Sequence, residues 1–242
     1  MRLIGFSTGA VAYSDFRRGI KMLIEEKIPA IEISALRASE WKPLCDSLNS
    51  IDLSSFRYVS IHLPSSMTVE EEVAVVETLD QVRPEWPLIL HPDAVSQFEL
   101  WRDLGERVCI ENMDVRKSTG RTDRELEVIF RKLPEARLCF DIGHAWQVDP
   151  TMNGAYGILK SFWRKLVQVH ISEVNSGGKH QILSYSTIQS FRDIADMIPL
   201  GAPIILETPL TQDDTLAREE MHREMHKANF ALLPVAVSHM IA

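Results

Sequence analysis

Eight short apolar segments, spaced about 30 residues apart, are the feature of this sequence that most limits its fold. Each segment has four to seven residues and is more uniformly apolar than a strand with one face in solvent. Such segments are typical of strands that are buried on both faces of a parallel sheet. The eight predicted strands cover residues 3–7, 30–34, 58–63, 87–91, 107–111, 137–141, 166–171 and 202–207.

Amphipathic segments of helical length separate the predicted strands. The clearest helices are predicted over residues 15–27, 68–82, 122–133, 185–198 and 213–230, and less regular ones over 36–48, 95–105 and 153–165. Thr68 and Thr122 are each followed three residues later by glutamate, which is the capping-box pattern of a helix start. Eight alternating strands and helices predict right-handed crossovers and an α/β fold that closes into a single (β/α)8 TIM barrel.

An open, doubly wound sheet is the alternative arrangement of such units. That fold would more often show a glycine-rich phosphate turn after the first strand, and residues 7–10 (STGA) fit this pattern poorly. Because no Pro-, Gly- or Ser-rich linker divides the chain, we expect residues 1–242 to form one domain. The apolar tail over about 228–242 is interpreted as a docked terminus or as the contact of a homodimer.

Charge and composition restrict the partners that we expect. The chain has 26 Lys and Arg against 34 Asp and Glu, a net charge of −8, so its overall field disfavours nucleic acid. No apolar stretch approaches the roughly 20 residues of a membrane-spanning helix, and the N-terminus does not resemble a signal peptide. Cys109 and Cys139 lie in apolar segments and are predicted to be small buried side chains. These features favour a cytoplasmic protein without a membrane partner.

Ionisable residues mark the carboxyl ends of seven of the eight predicted strands. A buried carboxylate or imidazole is unfavourable unless it is paired or bound to a cation. In a barrel of parallel strands these ends meet at one face, which carries the active site in this fold. We therefore expect one shared polar site formed by Glu32, His62, His91, Glu111, Asp141, His170 and Glu207.

The residue types at these strand ends predict a divalent metal cofactor. Three carboxylates and one imidazole, from Glu111, Asp141, His170 and Glu207, form a hard donor set suited to Mn²⁺, Co²⁺, Mg²⁺ or Zn²⁺. A second cation would be bound by Glu111 together with His62 and His91. A third cation, or the substrate, would be bound by His144 and His180. The alternative for these last two residues is a loop histidine that is hydrogen-bonded to a ligand carboxylate.

Seven short motifs carry a resemblance to a known superfamily: AIEIS, IHLP, LHPD, CIENM, CFDIGHA, QVHISE and ILETP. In this order and spacing, from Leu3 to about Thr208, they resemble the xylose-isomerase-like TIM-barrel superfamily. It includes sugar and sugar phosphate isomerases and epimerases, and the endonuclease IV group of DNA-repair hydrolases. Resemblance to the epimerase branch implies one divalent metal held by Glu111, Asp141, His170 and Glu207. Resemblance to the endonuclease branch implies further ligands at His62, His91, His144 and His180.

Two motifs depart from the endonuclease pattern. That pattern places an Asp-x-His motif at the last histidine, whereas this chain has Gly178, Lys179 and His180. The pattern also has His-Pro-Gly after the fourth strand, whereas Pro92 is followed here by Asp93. Because Gly178 stands where the Asp-x-His motif has its aspartate, a third metal site would lack its carboxylate. The short, acidic chain also leaves little room for large DNA-binding loops.

Three functional hypotheses follow from these residues. The first is a metal-dependent isomerase or epimerase of a small sugar or sugar phosphate, in which Glu111 and Glu207 transfer the proton. The second is an endonuclease IV-like phosphoester hydrolase, and the third is a non-catalytic metal- or sugar-binding barrel. The completeness of the four-residue donor set argues against the third. Substrate contacts are predicted for Glu32, Trp146 and Lys179.

Overall fold

The structure, a computed structural model that describes residues 2–234, contains the predicted closed barrel of eight parallel strands. The strands are β1 (Ile4–Ser7), β2 (Ala30–Ser34), β3 (Tyr58–His62), β4 (Leu88–Leu90), β5 (Val108–Glu111), β6 (Arg137–Asp141), β7 (Leu166–Ile171) and β8 (Ile204–Leu206). β1 pairs in parallel with both β2 and β8, so the sheet closes without an edge. Every predicted strand is present, and the fold class is confirmed.

Ten α-helices in the described residues follow or separate these strands. They are α1 (Thr8–Val11), α2 (Phe16–Glu25), α3 (Ala38–Leu48), α4 (Val69–Glu77), α5 (Phe98–Arg102), α6 (Asp123–Lys132), α7 (Ile142–Val148), α8 (Asn153–Phe162), α9 (Tyr185–Arg192) and α10 (Asp214–Ala231). The Thr68 capping box is formed, and the Thr122 hydroxyl accepts from the Glu125 amide. Several predicted helices are shorter than expected and end in a 3₁₀ turn. The short helices α1 and α7, and a hairpin of Glu173–Val174 with His180–Gln181, were not predicted.

The depth of each polar side chain depends on its position relative to the end of its strand. Strand β2 has its predicted bounds, but Glu32 lies two residues before its end at Ser34, so Glu32 is inside the barrel wall rather than at the rim where it was expected. His91 and Glu207 lie one residue beyond β4 and β8. Residues two apart on a strand face the same side and lie in successive layers along the barrel axis. Glu32 therefore lies in a deeper layer than His91 and Glu207.

An irregularity between β6 and β7 aligns two of the predicted ligands. Leu138 pairs with Leu166, but Cys139 pairs with Gln168, so β7 has one additional residue at this point. The shift pairs Asp141 with His170, and directly paired residues of adjacent strands face the same side of a sheet. Both side chains therefore face the barrel interior.

The predicted buried cysteines, Cys109 and Cys139, are buried free thiols. Together with Ile89 they form a small apolar cluster. Each of these three residues precedes, by two positions, a polar residue of the predicted site, and by strand alternation it faces the same side. This apolar layer therefore supports the polar site from below.

The C-terminal tail is described only in part. Ala228, Ala231 and Leu232 are buried at the end of α10, while residues 235–242 lie outside the described residues. The roles predicted for the tail over 228–242, and the single domain predicted over 1–242, stay predictions. Among the described residues, no helix has both the length and the apolar composition needed to cross a membrane.

Gly5→Ala tests the tight closure of the barrel between β1 and β2. A Cβ atom at Gly5 would lie 1.8 Å from the Ala30 carbonyl oxygen, so the backbone would have to move. We expect the free energy of unfolding to fall by about 2–3 kcal/mol and the melting temperature by about 5–10 °C. Gly201→Ala is the matched control, because nothing lies within 4 Å of its added Cβ. Equal thermal unfolding curves for the two variants would contradict this close packing.

Candidate metal centre

A cavity of about 760 Å³ opens at the carboxyl ends of the strands. Seven of the predicted site residues line it, namely His62, His91, Glu111, His144, Lys179, His180 and Glu207. The remaining predicted residues, Glu32, Trp146, Asp141 and His170, are not part of the lining. The polar site therefore has some members in the cavity wall and others behind it.

Glu111 is the centre of the polar site. Its Oε2 atom lies 3.2 Å from Nε2 of both His62 and His91. Its Oε1 atom lies 3.3 Å from Nδ1 of His170 and 3.4 Å from Nδ1 of His144. Burial raises the pKa of Glu111, but the charges of His170 and His91 and hydrogen bonds from His170 and His62 outweigh it, so the pKa lies well below its usual range. Glu111 is therefore an ionised carboxylate shared by four imidazoles.

Glu111, Asp141, His170 and Glu207 form the predicted four-donor group, and their ligand atoms lie within 4.8 Å of one another. Asp141 Oδ1 accepts from the His144 amide, while Asp141 Oδ2 is buried without a hydrogen-bond partner among the described residues. Burial is also the main reason that the pKa of Asp141 is raised. An unpartnered carboxylate oxygen beside two further carboxylates and an imidazole is the arrangement expected for a divalent cation site.

Two further groups share residues with the four-donor group. His62 and His91 join Glu111, and His144 and His180 join Asp141, each within 4.8 Å. The Nδ1 atom of His62 bonds the Leu63 carbonyl, which leaves Nε2 directed at Glu111. These groups contain the residues predicted to bind a second and a third cation. The expectation that a third group would lack a carboxylate is wrong, since Asp141 lies with His144 and His180.

Burial keeps His180 neutral in this third group. Desolvation lowers its pKa to about 3, and the charge of His144 adds to this effect. Its Nδ1 atom lies 2.7 Å from the Ser172 hydroxyl and 3.6 Å from Glu207 Oε2. A neutral imidazole is the form that binds a metal ion.

Asn112 orders the loop that follows β5 and was not predicted as a site residue. Its amide nitrogen donates to the Asp141 carbonyl, and its amide oxygen accepts from the Asp141 backbone N–H, both at 2.8 Å. The Asn112 carbonyl accepts from Nδ1 of His144 at 2.9 Å. A polar residue directly after the Glu111 strand end was the available signal.

A second polar network lies beneath the cavity and was also not predicted. It consists of Tyr58, Ser60 and Gln168, which contact Glu32 or one another. Ser60 precedes His62 by two residues, and Gln168 precedes His170 by two. Strand alternation therefore provided a signal, because it places each of these side chains on the face of the following histidine.

Trp146 and the cations at the cavity rim complete the surroundings of the site. Trp146 is half-buried and packs against the hydrophobic core.

The cations that line the cavity are Arg37, Arg116, Lys117 and Lys179. Three of them form ion pairs, with Glu40, Asp114 and Asp93 respectively. In the part of the chain that the structure describes, no ion pair is formed by the Lys179 ammonium.

Comparisons with known proteins support the fold. No protein-family model matches the chain, and no curated protein matches its sequence. The barrel is similar to a protein described as a sugar phosphate isomerase/epimerase from Anabaena variabilis, with a TM-score of 0.62 and 11% identity over 96% of this chain and 99% of that one. It is also similar to 3-keto-D-glucoside 4-epimerase from E. coli, with a TM-score of 0.55 and 12% identity over 93% and 100% of the two chains.

A third similar structure is a dipeptide epimerase from Methylococcus capsulatus complexed with Mg. The TM-score is 0.50 and the identity 8%, over 84% of this chain and 55% of that one. At these identities the similarity establishes a shared barrel fold. The barrel fold expected from the motifs is confirmed, and two of the similar barrels are described as sugar isomerases or epimerases.

Glu207→Gln should change how the stability of the metal-free protein depends on pH. Burial, together with the charges of Glu111 and Asp141, raises the pKa of Glu207 to about 8, although His170 opposes this. The unfolded chain loses this proton near pH 4.5, so the free energy of unfolding falls between pH 4.5 and about 8. Glutamine has no such proton, and the variant should gain stability relative to wild type across this window.

Urea unfolding with chelator present, repeated from pH 4 to 8.5, measures this difference. We expect the two proteins to unfold alike below pH 4.5 and the difference to grow as the pH rises. Parallel curves over the whole range would contradict the raised pKa of Glu207.

Proposed function

We propose that this protein is a divalent-metal-dependent isomerase or epimerase that acts on a small sugar or sugar phosphate. The observation that carries this proposal is a division within the four-donor group. Glu111 and Glu207 line the cavity, whereas Asp141 and His170 do not. Asp141 and His170, which lie outside the cavity lining, would hold a cation. Glu111 and Glu207 would also contact the substrate in the cavity.

The donor chemistry fits such a cation. Three carboxylates and one imidazole suit Mn²⁺, Co²⁺, Mg²⁺ or Zn²⁺. When bound, the cation would polarise a carbonyl or a hydroxyl pair of the sugar as a Lewis acid. Asp141 would supply the oxygen Oδ2, which is buried and has no hydrogen-bond partner among the described residues. His170 would supply Nδ1, the ring nitrogen that lies nearest to Glu111 and Glu207.

Glu111 and Glu207 are the two groups proposed to move the proton. Glu111 ends β5 and Glu207 follows β8, and strands β6 and β7 lie between them in the barrel. The two carboxylates therefore approach the cavity from different sides. One removes the proton from the carbon next to the carbonyl, and the other returns a proton, which yields an isomer or epimer.

The cations at the cavity rim favour a substrate that carries an anionic group. Lys179 is exposed, lies next to His180, and forms no ion pair with the described residues. Its ammonium is therefore available for a phosphate, whereas Arg116 and Lys117 are held by Asp114 and Asp93. This arrangement supports a sugar phosphate over an unmodified sugar.

Phosphoester hydrolysis is the second candidate function. The two additional groups favour it, because each shares a carboxylate with the four-donor group, Glu111 in one and Asp141 in the other. Two or three neighbouring cations bound in this way would activate water and stabilise the leaving oxygen of a phosphoester. Hydrolysis and isomerisation therefore require different numbers of cations in the same cavity.

Metal content separates the two candidates. The protein should be purified without chelator, and its metal content per chain measured alongside turnover. One cation per chain, with interconversion of an aldose–ketose or epimer pair, is the result that we expect. Two or more cations per chain, with cleavage of a phosphomonoester or of abasic-site DNA, would replace the first proposal with the second.

Glu207→Gln should abolish turnover in either case. Removing a general acid–base group lowers kcat by about 10²–10⁴-fold. The variant is expected to be at least as stable as wild type near pH 8, so unfolding would not account for the loss. Glu224→Gln is the control, since Glu224 is a buried carboxylate of α10 that bonds the Leu183 amide outside the cavity. Unchanged turnover in Glu207→Gln would refute the site assignment.

Lys179→Ala tests the proposed phosphate contact. Losing a charged hydrogen bond to an exposed phosphate should reduce kcat/KM for a sugar phosphate by about tenfold. The same variant should leave kcat/KM for the unphosphorylated sugar unchanged. Lys160→Ala, an exposed lysine of α8 that does not line the cavity, is the control. Equal losses with both substrates would show that Lys179 does not contact the phosphate.

A further inference from the structure

Glu32 is a fully buried carboxylate beneath the cavity. Its Oε2 atom lies 2.9 Å from Nε2 of His170, 2.7 Å from the amide nitrogen of Gln168 and 3.2 Å from the Ser60 hydroxyl. Three donors thus converge on one oxygen of a side chain that does not line the cavity. The contacts place Glu32 behind a metal ligand rather than in front of the substrate.

His170 presents its two ring nitrogens to different surroundings. Nδ1 lies 3.3 Å from Glu111 Oε1 and 3.6 Å from Glu207 Oε1, within the four-donor group. Nε2 faces Glu32 on the opposite side of the ring. An imidazole binds a cation through a nitrogen without a proton, and the other nitrogen then carries the proton and needs an acceptor. The Oε2 atom of Glu32 is in position to be that acceptor.

The side-chain amide of Gln168 also contacts Nε2 of His170, and it favours the opposite placement of the ring proton. The Tyr58 hydroxyl donates to Gln168 Oε1 at 2.6 Å, so the amide nitrogen is directed at Glu32 and lies 2.7 Å from Nε2 of His170. Without Glu32, this amide would donate to Nε2 and favour the ring form with its proton on Nδ1. A proton on Nδ1 would block the nitrogen that faces the cation.

We propose that Glu32 is a positioning residue that accepts the Nε2 proton of His170 and thereby keeps Nδ1 free and aimed at the cation. This role rests on the metal centre of the proposed function. It replaces the substrate contact predicted from the sequence, since three buried groups occupy the Oε2 atom of Glu32. Loss of such an outer partner typically weakens metal affinity by about 10–100-fold.

A direct ligand role for Glu32 is the competing explanation. Glu32, His62 and Glu207 also offer ligand atoms within 4.8 Å of one another, and Glu32 Oε1 has no hydrogen-bond partner among the described residues. If Glu32 held a cation of its own, its loss would remove one cation per chain. If Glu32 positions His170, the cation number stays the same and the affinity falls.

Cation affinity in three proteins tests the proposal. Wild type, Glu32→Ala and Glu32→Gln should be titrated with Zn²⁺, and separately with Co²⁺, against a competing chelator. We expect the alanine variant to bind about 10–100-fold more weakly than wild type with an unchanged number of cations. Glutamine keeps an acceptor oxygen without the charge, so Glu32→Gln should recover part of the loss. The visible spectrum of bound Co²⁺ should shift in Glu32→Ala, because the orientation of one ligand changes.

Glu72→Gln is the matched control for loss of a buried carboxylate. Glu72 is equally buried and accepts from Trp101 Nε1 and the amides of Ser96 and Gln97 in the outer layer. Its loss should lower thermal stability and leave Zn²⁺ affinity and the Co²⁺ spectrum unchanged. Equal losses of affinity in Glu72→Gln and Glu32→Ala would show a merely structural role and overturn the proposal.

Nitrogen-15 spectra of histidine-labelled wild type provide a test that requires no variant to fold. In the Zn²⁺-loaded protein, the His170 ring should carry its proton on Nε2 and bind through Nδ1. A proton on Nδ1 would overturn the proposal. If wild type binds no divalent cation, the metal centre itself fails and the role of Glu32 fails with it. If wild type binds the cation and Glu32→Ala binds it equally well, only the role of Glu32 fails.

Discussion

The fold must compensate for the removal of carboxylates and imidazoles from water at one end of the barrel. Glu32, Glu111, Asp141 and His170 have at most 1% of their surface exposed. Single charges in such positions would strongly favour the unfolded chain. They are tolerated here because each group contacts an oppositely charged or hydrogen-bonding partner, and because the donor set suits a cation that would offset the excess of carboxylate charge.

Glu111 links these partners into one unit. Its two oxygens contact imidazoles from β3, β7, α7 and the residue after β4, so side chains connect β5 to elements on both sides of it in the barrel. The layer beneath differs around the barrel. Below β4, β5 and β6 it is the apolar cluster that contains Cys109 and Cys139, and toward β2, β3 and β7 it is the hydrogen-bonded network around Glu32. Rigid packing on one side and directed hydrogen bonds on the other would both hold the donor atoms in position.

Isomerisation and hydrolysis would use the same unit differently. In both proposals the four donors would surround one cation, and the proposals diverge at the imidazoles of His62, His91, His144 and His180. In an isomerase these imidazoles would support Glu111 and Asp141 and contact substrate, whereas in a hydrolase they would hold further cations. The barrel fold is compatible with either chemistry, because function in this fold depends on the groups at the strand ends.

Much of the architecture could be predicted from the sequence, because it depends on local patterns. Uniformly apolar segments of strand length marked all eight strands, and Thr68 and Thr122 marked two helix starts. The ionisable residues near the ends of seven strands also indicated which side chains would converge, since parallel strands in a closed barrel end at one face. Helix α7 was not predicted, because its residues Ile142–Val148 are few and carry a candidate ligand rather than an amphipathic pattern.

The depth of each polar side chain and the orientation of the His170 ring follow from contacts between strands that are distant in sequence. Glu32, like Glu111, was expected at the shared site, yet it lies two residues before the end of β2, is not part of the cavity lining and contacts His170. The additional residue in β7 pairs Asp141 with His170, and no local pattern specifies this shift. Local residue patterns indicated which ionisable groups would converge at the strand ends, but not the contacts of Asn112 or of the network around Glu32. Which atom of each group would face a cation depends on strand register and on partners up to 138 residues away, and these exist only in the closed barrel.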